Sequence, residues 1–112
     1  MRIEIKKTGN VTVVELFGNI KTSDDYGLFK DTVDEMLKTG AINIILNCKE
    51  VHFINSSGLG RLILASKRVK ENGGALKVTN LSDELMELFT FTMLDTKIQI
   101  YETEEEALKS FE

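Results

Sequence analysis

Two adjacent serines, Ser56 and Ser57, lie directly before two glycines in the segment 53–60, which reads Phe-Ile-Asn-Ser-Ser-Gly-Leu-Gly. This segment joins the apolar run 41–48 to a helical pattern that begins at Gly58. In open α/β sheets, functional groups gather in loops of this kind, where a strand ends and a helix begins. Small residues there let the backbone approach a partner closely, and the first N–H groups of the helix face outward. We therefore take 53–60 as the candidate site.

The residues of this segment leave three interpretations open. In a structural one, Ser56 or Ser57 is a helix N-cap and the glycines make a tight turn. In an enzymatic one, Ser56 is the nucleophile of a small serine hydrolase with His52 as its base, although the strained G-x-S-x-G elbow is absent. In a regulatory one, a serine accepts a phosphate, whose roughly −1.5 to −2 charges suit a helix N-terminus. Such a phosphate would leave the fold intact and prevent a partner from binding, because burying a dianion is costly.

The composition narrows the classes of function. A chain of 112 residues predicts a single domain, 1–112. Fourteen basic and 18 acidic residues give a net charge of −4, without the positive field that nucleic-acid binding needs. One cysteine, Cys48, and one histidine cannot form a disulfide or a four-ligand zinc cage of soft ligands, so we expect no structural metal and a buried Cys48.

Two further classes of site are not expected. No phosphate-binding loop of the type G-x-x-x-x-G-K-[ST] or G-x-G-x-x-G is complete, which predicts no nucleotide cofactor. No apolar run approaches the roughly 18 residues of a membrane span, and the N-terminal residues are charged. We therefore predict a cytoplasmic protein that does not bind a membrane.

Hydrophobic periodicity predicts five strands and four helices that alternate along most of the chain. The strands are predicted at 2–7, 11–18, 41–48, 75–79 and 97–101. The helices are predicted with a cap at Thr22 or Ser23, a start at Gly58, and caps at Ser82 and Thr103. The order β-β-α-β-α-β-α-β-α favours an α/β fold with a mostly parallel five-stranded sheet, an antiparallel strand at its N-terminus, and helices covering it.

The helix after the segment 53–60 has one apolar residue outside its predicted buried stripe. That stripe contains Leu59, Leu62, Ile63 and Val69. Leu64 falls beside Lys67 and Arg68 instead, which leaves three alternatives: a docking patch, an ordinary exposed leucine, or a leucine buried by a wider apolar face. Farther along the chain, Met86 and Met93 are predicted to belong to the core.

With these features in hand, the sequence resembles the STAS family, specifically the small bacterial anti-sigma factor antagonists. The resemblance runs along nearly the whole chain, and the serine-glycine turn at 53–60 is its most specific feature. The features that agree with it are the N-terminal hairpin, Gly18, the strand 41–48, Asn72-Gly73-Gly74, and Leu94-Asp95. The resemblance implies a single STAS domain.

The resemblance also implies a mechanism. In that family, the unmodified antagonist captures an anti-sigma factor, usually also a serine kinase, and so frees a sigma factor for transcription. The kinase phosphorylates the first serine of the turn, which corresponds to Ser56, and a phosphatase of the PP2C type removes the phosphate. The implied partner contacts are Lys21, Asn55, Ser56, Ser57, Gly58, Gly60, Arg61 and Leu64.

Two positions depart from the family pattern. Asn55 and Lys21 stand where the family commonly has aspartates, so negative charge is missing beside Ser56. Either the cognate kinase differs accordingly, or the protein is an unphosphorylated docking module for another signalling or transport partner. We favour a retained switch, because Ser56, Gly58 and Gly60 are all present.

Overall fold

The computed structural model describes all of residues 1–112, which form one five-stranded sheet with helices on both faces. The strands are β1 (Arg2–Thr8), β2 (Val11–Phe17), β3 (Asn43–Glu50), β4 (Ala75–Thr79) and β5 (Gln99–Tyr101). The helices are α1 (Ser23–Lys38), α2 (Ser56–Glu71), α3 (Asp83–Phe91) and α4 (Glu104–Ser110), with a 3₁₀ turn at Leu94–Thr96.

The strands lie in the sheet in the order in which they occur along the chain. β1 pairs antiparallel with β2, and all later pairs are parallel. The predicted α/β fold with one antiparallel strand is therefore confirmed. Because the parallel strands all end at one edge of the sheet, the starts of α1, α2 and α3 gather there.

The apolar residues divide between the two faces of the sheet. On one face, β2, β3 and β4 pack against α1, α2 and α3 in a core of 21 buried residues. On the other face, Val13 and Ile45 pack against Ala107 of α4 in a smaller cluster. β3 is buried on both faces, as its short apolar run predicts, and it therefore holds the loop that follows it in a fixed position.

Some boundaries differ from those predicted. The strand predicted at 41–48 is observed at Asn43–Glu50, and the strand predicted at 97–101 is the shorter Gln99–Tyr101. α2 begins at Ser56 rather than at Gly58, because its N-cap is Asn55. The predicted caps of the other helices are confirmed, and they are Thr22, Ser82 and Thr103.

Three apolar side chains that the pattern assigns to the core are exposed. Ile63 and Met86 are each 37% exposed, and Met93 is 63% exposed. α3 is short and buries only Leu85 and Phe89, which leaves Met86 on its solvent side. Met93 follows the end of α3 with a left-handed φ of 62°, outside any regular helix. The prediction of a core position is wrong for these three residues.

Candidate functional site

The candidate site lies at the carboxyl edge of the sheet, where the loops after β2 and β3 run side by side. Ile20 and Ile54 form a parallel bridge between them. The Ile20 N–H donates to the Phe53 carbonyl at 3.0 Å, and the Asn55 N–H donates to the Ile20 carbonyl at 3.1 Å. Asn19 Oδ1 also accepts from the Phe53 N–H at 3.0 Å. These bonds extend the sheet by one short step and hold the start of α2 in place.

Asn55, at the end of this loop, is the N-cap of α2. Its Oδ1 accepts from the Gly58 N–H at 2.8 Å, and its Nδ2 donates to the Lys21 carbonyl at 3.2 Å. The Tyr26 hydroxyl lies 2.9 Å from Oδ1 and 2.6 Å from Nδ2. The structural interpretation, in which a serine caps this helix, is therefore wrong. An aspartate would only accept hydrogen bonds here, whereas the asparagine amide also donates one to the neighbouring loop.

With Asn55 as the cap, the two serines are left without partners inside the protein. Ser56 and Ser57 are the first two residues of α2, and both are exposed. Neither hydroxyl is hydrogen-bonded within the chain, and the backbone N–H groups of both residues also lack a protein acceptor. The first turn of α2 carries no acidic residue. The positive end of the helix dipole is therefore open, with two hydroxyl groups on it.

The two glycines of the segment have different roles. A Cβ at Gly58 would lie 2.8 Å from Ile54 Cγ2 and 3.0 Å from the Ile20 carbonyl oxygen, so only glycine lets α2 approach the two loops this closely. Gly58 is buried, which gives it a role in packing rather than at the surface. A Cβ at Gly60 would have no heavy atom within 4 Å. Gly60 is exposed and has no side chain, so the helix backbone is accessible one turn after Ser56.

Arg61 and Leu64 continue this exposed surface along α2. The Arg61 guanidinium lies over the Tyr26 ring, 5.1 Å from its centroid. Leu64 is 51% exposed, so the prediction that it falls outside the buried stripe is confirmed. Both residues line a groove of about 140 Å³ between α1 and α2, whose floor includes Phe29. An apolar side chain beside a cation thus lies on the same helix, about two turns after the serines.

Lys21 connects the starts of α1 and α2 through its backbone. Its N–H donates to Asp25 Oδ2 at 3.0 Å, while its carbonyl accepts from Asn55. The Thr22 N–H donates to the same carboxylate at 3.0 Å. The bond from the Lys21 backbone is the largest cause that lowers the pKa of Asp25 to about 2. The side chain of Lys21 is exposed, and its contact with a partner stays a prediction.

Three residues of the site were missed by reasoning from the sequence. Asn19 holds the loop after β3, Tyr26 contacts the Asn55 amide, and Phe53 is 50% exposed beside it. The hydroxyl of Tyr26 on an otherwise apolar helix face was a usable indication, because a tyrosine that is partly buried usually seeks a polar partner. Nothing in the pattern around Asn19 or Phe53 indicates their roles.

The geometry gives the enzymatic interpretation no support. His52 is exposed in the loop after β3, and no hydrogen bond joins it to Ser56. No group of three or more His, Cys, Asp or Glu residues is placed to hold a metal ion. Cys48 is buried, as predicted, and this burial raises the pKa of its thiol to about 12. None of the helices has the length and apolar character needed to cross a membrane.

Comparison with known proteins places these features in a family. The chain matches the STAS domain over residues 2–107. It is 31% identical over 102 residues to the anti-sigma-B factor antagonist of Bacillus subtilis (strain 168), covering 89% of this chain and 90% of that one. It is 28% identical over 115 residues to the anti-sigma F factor antagonist of Paenibacillus polymyxa, covering 100% of this chain and 96% of that one. The chain belongs to the STAS domain family.

Two solved structures of one protein agree with this assignment at the level of the fold. The anti-sigma factor antagonist SpoIIAA of Bacillus, in its phosphorylated form, superimposes with a TM-score of 0.74 at 23% identity, covering 99% of this chain and 100% of that one. The unphosphorylated form of SpoIIAA gives a TM-score of 0.75 at 22% identity, covering 98% of this chain and 97% of that one. The order and direction of the strands are therefore those of a known STAS fold.

Proposed function

We propose that this protein is an anti-sigma factor antagonist, which binds an anti-sigma factor through the start of α2 and thereby frees a sigma factor. The observation that carries the proposal is the exposed Ser56 at the start of a 16-residue helix with no acid in its first turn. The names of the two relatives, which are similar along 89% and 100% of this chain, support the same function. The docking surface continues from Ser56 to Arg61 and Leu64.

Ser56 is the residue that we propose to be phosphorylated. Its hydroxyl is free, and the open N–H groups of Ser56 and Ser57 can donate to phosphate oxygens. The helix dipole stabilises a negative charge at this position by about 0.3–1 kcal/mol. The existence of a phosphorylated form of SpoIIAA supports this assignment. The modification changes the surface of the molecule and leaves the fold as it is.

Phosphorylation switches binding off because the phosphate must be desolvated in the interface. A group of roughly −1.5 to −2 charges is costly to bury without a matching base. In the forward step the Ser56 oxygen attacks the γ-phosphorus of ATP, ADP leaves, and the hydroxyl proton passes to a base of the kinase. Water attack catalysed by a PP2C-type phosphatase releases inorganic phosphate and restores the hydroxyl. The family resemblance supports both proposed partners, and the cytoplasmic location stays a prediction from the sequence.

The test of the acceptor is a mass measurement. The purified protein is incubated with ATP and a lysate of its own organism, and its intact mass is compared with those of Ser56→Ala and Ser57→Ala. We expect one phosphate on the natural sequence and on Ser57→Ala, and none on Ser56→Ala. A phosphate that survives Ser56→Ala would contradict the assignment.

A second candidate function is favoured by Asn55 and Lys21. Both positions lack the carboxylate that is common in the family, and Asn55 uses its amide nitrogen for a hydrogen bond that an aspartate cannot make. The alternative is a constitutive docking module that presents the same surface without phosphorylation. Absence of phosphate under every growth condition, together with capture of a partner by the unmodified protein, would favour this function.

A further inference from the structure

α2 has a second exposed surface at the end opposite Ser56. Three lysines converge there on a groove of about 390 Å³ between the C-terminal half of α2 and the segment that leads into β5. The lysines are Lys67, Lys70 and Lys97. The residues between them are Ile63, Ser66, Thr96 and Ile98. Below, this surface is called the lysine groove.

The charge of the lysine groove is not neutralised within the protein. All three lysines are exposed, and none takes part in an ion pair. Glu71 and Asp95 belong to the same elements, but neither forms an ion pair with these lysines. In a chain with a net charge of −4, a groove with three unpaired cations is a local departure from the average surface. Charge complementarity therefore selects a negatively charged ligand.

The apolar residues and the helix end decide which anion fits best. Ile63 is 37% exposed and offers an aliphatic surface between the lysines, which suits a leucine or isoleucine side chain. Lys70 lies in the last turn of α2, where the carbonyl end of the helix disfavours the dense charge of a phosphate. Carboxylates spread along a peptide can each meet one flexible lysine, since the ammonium group is a single point charge.

We infer that the lysine groove binds an acidic polypeptide segment of a partner protein, with carboxylates on Lys67, Lys70 and Lys97 and an aliphatic side chain against Ile63. Lys70 lies 14 residues after Ser56 on the same helix, which corresponds to about 20 Å at 1.5 Å per residue. This surface is therefore separate from the phosphorylation site. The inference goes beyond the proposed function and does not depend on it.

The test uses a fluorescein-labelled peptide, Glu-Asp-Leu-Leu-Asp-Glu, and fluorescence anisotropy with the full chain. The matched probe replaces the acids with glutamine and asparagine. The test variant is Lys67→Glu combined with Lys70→Glu, and the control is Lys49→Glu combined with Lys109→Glu, which makes the same charge change at two other exposed lysines. Urea unfolding of each variant establishes that it is folded. Ser56→Asp is measured alongside.

We expect the acidic peptide to bind the natural sequence, the control and Ser56→Asp equally, and the test variant about tenfold more weakly. We also expect binding to weaken at about 0.3 M salt and the uncharged peptide not to bind. Four outcomes would overturn the inference: no binding at about 1 mM peptide, an equal loss in the control, tighter binding of a single-stranded oligonucleotide, or loss of binding in Ser56→Asp. The last outcome would show that this groove is coupled to the phosphorylation site.

Discussion

α1 and α2 begin side by side at the same edge of the sheet, each contains 16 residues, and each has a serine as its first residue. Their first turns nevertheless differ in charge. Together with its N-cap, the start of α1 is Thr22-Ser23-Asp24-Asp25, whereas that of α2 is Asn55-Ser56-Ser57-Gly58. The start of α1 is therefore acidic and the start of α2 is neutral.

The start of α1 is satisfied from within the chain. Asp25 is buried, and its carboxylate accepts hydrogen bonds from the backbone of Lys21 and Thr22, while Thr22 caps the helix in return. Position 58 of α2, which corresponds to Asp25, is a glycine that permits close packing and supplies no charge. α1 has its own carboxylate, Asp25, at its N-terminus, so no further anion is needed there. α2 has no acidic residue in its first turn, so its N-terminus can accommodate an external anion, such as the phosphate proposed for Ser56.

The largest effect is expected from placing a carboxylate at Ser56, and a carboxylate at Ser23 is the matched control. Ser56→Asp should weaken binding to the anti-sigma factor about 100-fold, because an unpaired charge is buried in the interface. Ser23→Asp places the same charge at the equivalent position of α1 and should leave affinity unchanged. Isothermal titration calorimetry with the purified anti-sigma factor measures both. Equal losses in the two variants would remove the distinction between the helix starts.

The second effect concerns close packing at position 58. Gly58→Ala should lower the free energy of unfolding by about 1–3 kcal/mol, because its Cβ would press on Ile54 and the Ile20 carbonyl. Gly60→Ala is the control in the same helix, and it should raise stability by about 0.5–1 kcal/mol, because its Cβ meets open space. Urea unfolding measures both. A stable Gly58→Ala variant would show that α2 can move away from the loops.

The third effect is a pH dependence of the free energy of unfolding, and it arises from Asp25 at the start of α1. Asp25 has a pKa of about 2 in the folded protein, below the 3.8 of a free aspartate. Its contribution of about 2 kcal/mol is therefore present above pH 4 and is lost as the pH falls from about 4 toward 2. Asp25→Asn should remove this part of the acid transition, as measured by urea unfolding at each pH. An unchanged pH profile would mean that the carboxylate does not stabilise the start of α1.

The smallest effect is expected at the cap of α2. Asn55→Asp keeps the bond to the Gly58 N–H and places a negative charge at the helix start, but it loses the donor to the Lys21 carbonyl. These changes oppose each other, so we expect stability to change by less than about 1 kcal/mol. Thermal unfolding of the variant measures this. A larger loss would show that the amide bond between the two helix starts is essential.

Most of the fold follows from local features of the sequence. Strand alternation, the N-terminal hairpin, and the caps Thr22, Ser82 and Thr103 each depend on residues close together in the sequence, so they are visible without the tertiary structure. The burial of Met86 and Met93 was predicted wrongly, because Met86 lies on the solvent side of α3 and Met93 lies in the turn after its end. The position of Met93 depends on where α3 ends, and sequence patterns define element ends poorly.

The serines and glycines identify the candidate site from the sequence, but they do not identify which residue is the N-cap of α2. Asn55, Ser56 and Ser57 are three consecutive residues that all make good N-caps, so local preference does not choose among them. The choice is made by Tyr26 and the Lys21 carbonyl, which lie about 30 residues earlier in the chain and engage the Asn55 amide. That contact depends on the packing of α1 beside α2, which no local pattern reveals.

Cys48 has a practical consequence for experiments on this protein. It is the only cysteine in the chain, it is 1% exposed, and its pKa of about 12 keeps it a thiol at neutral pH. A thiol-reactive dye added to a Ser57→Cys variant will therefore label the exposed position selectively, without removal of the native cysteine. Under the same conditions, the slow labelling of Cys48 in the natural sequence measures how often β3 opens to solvent.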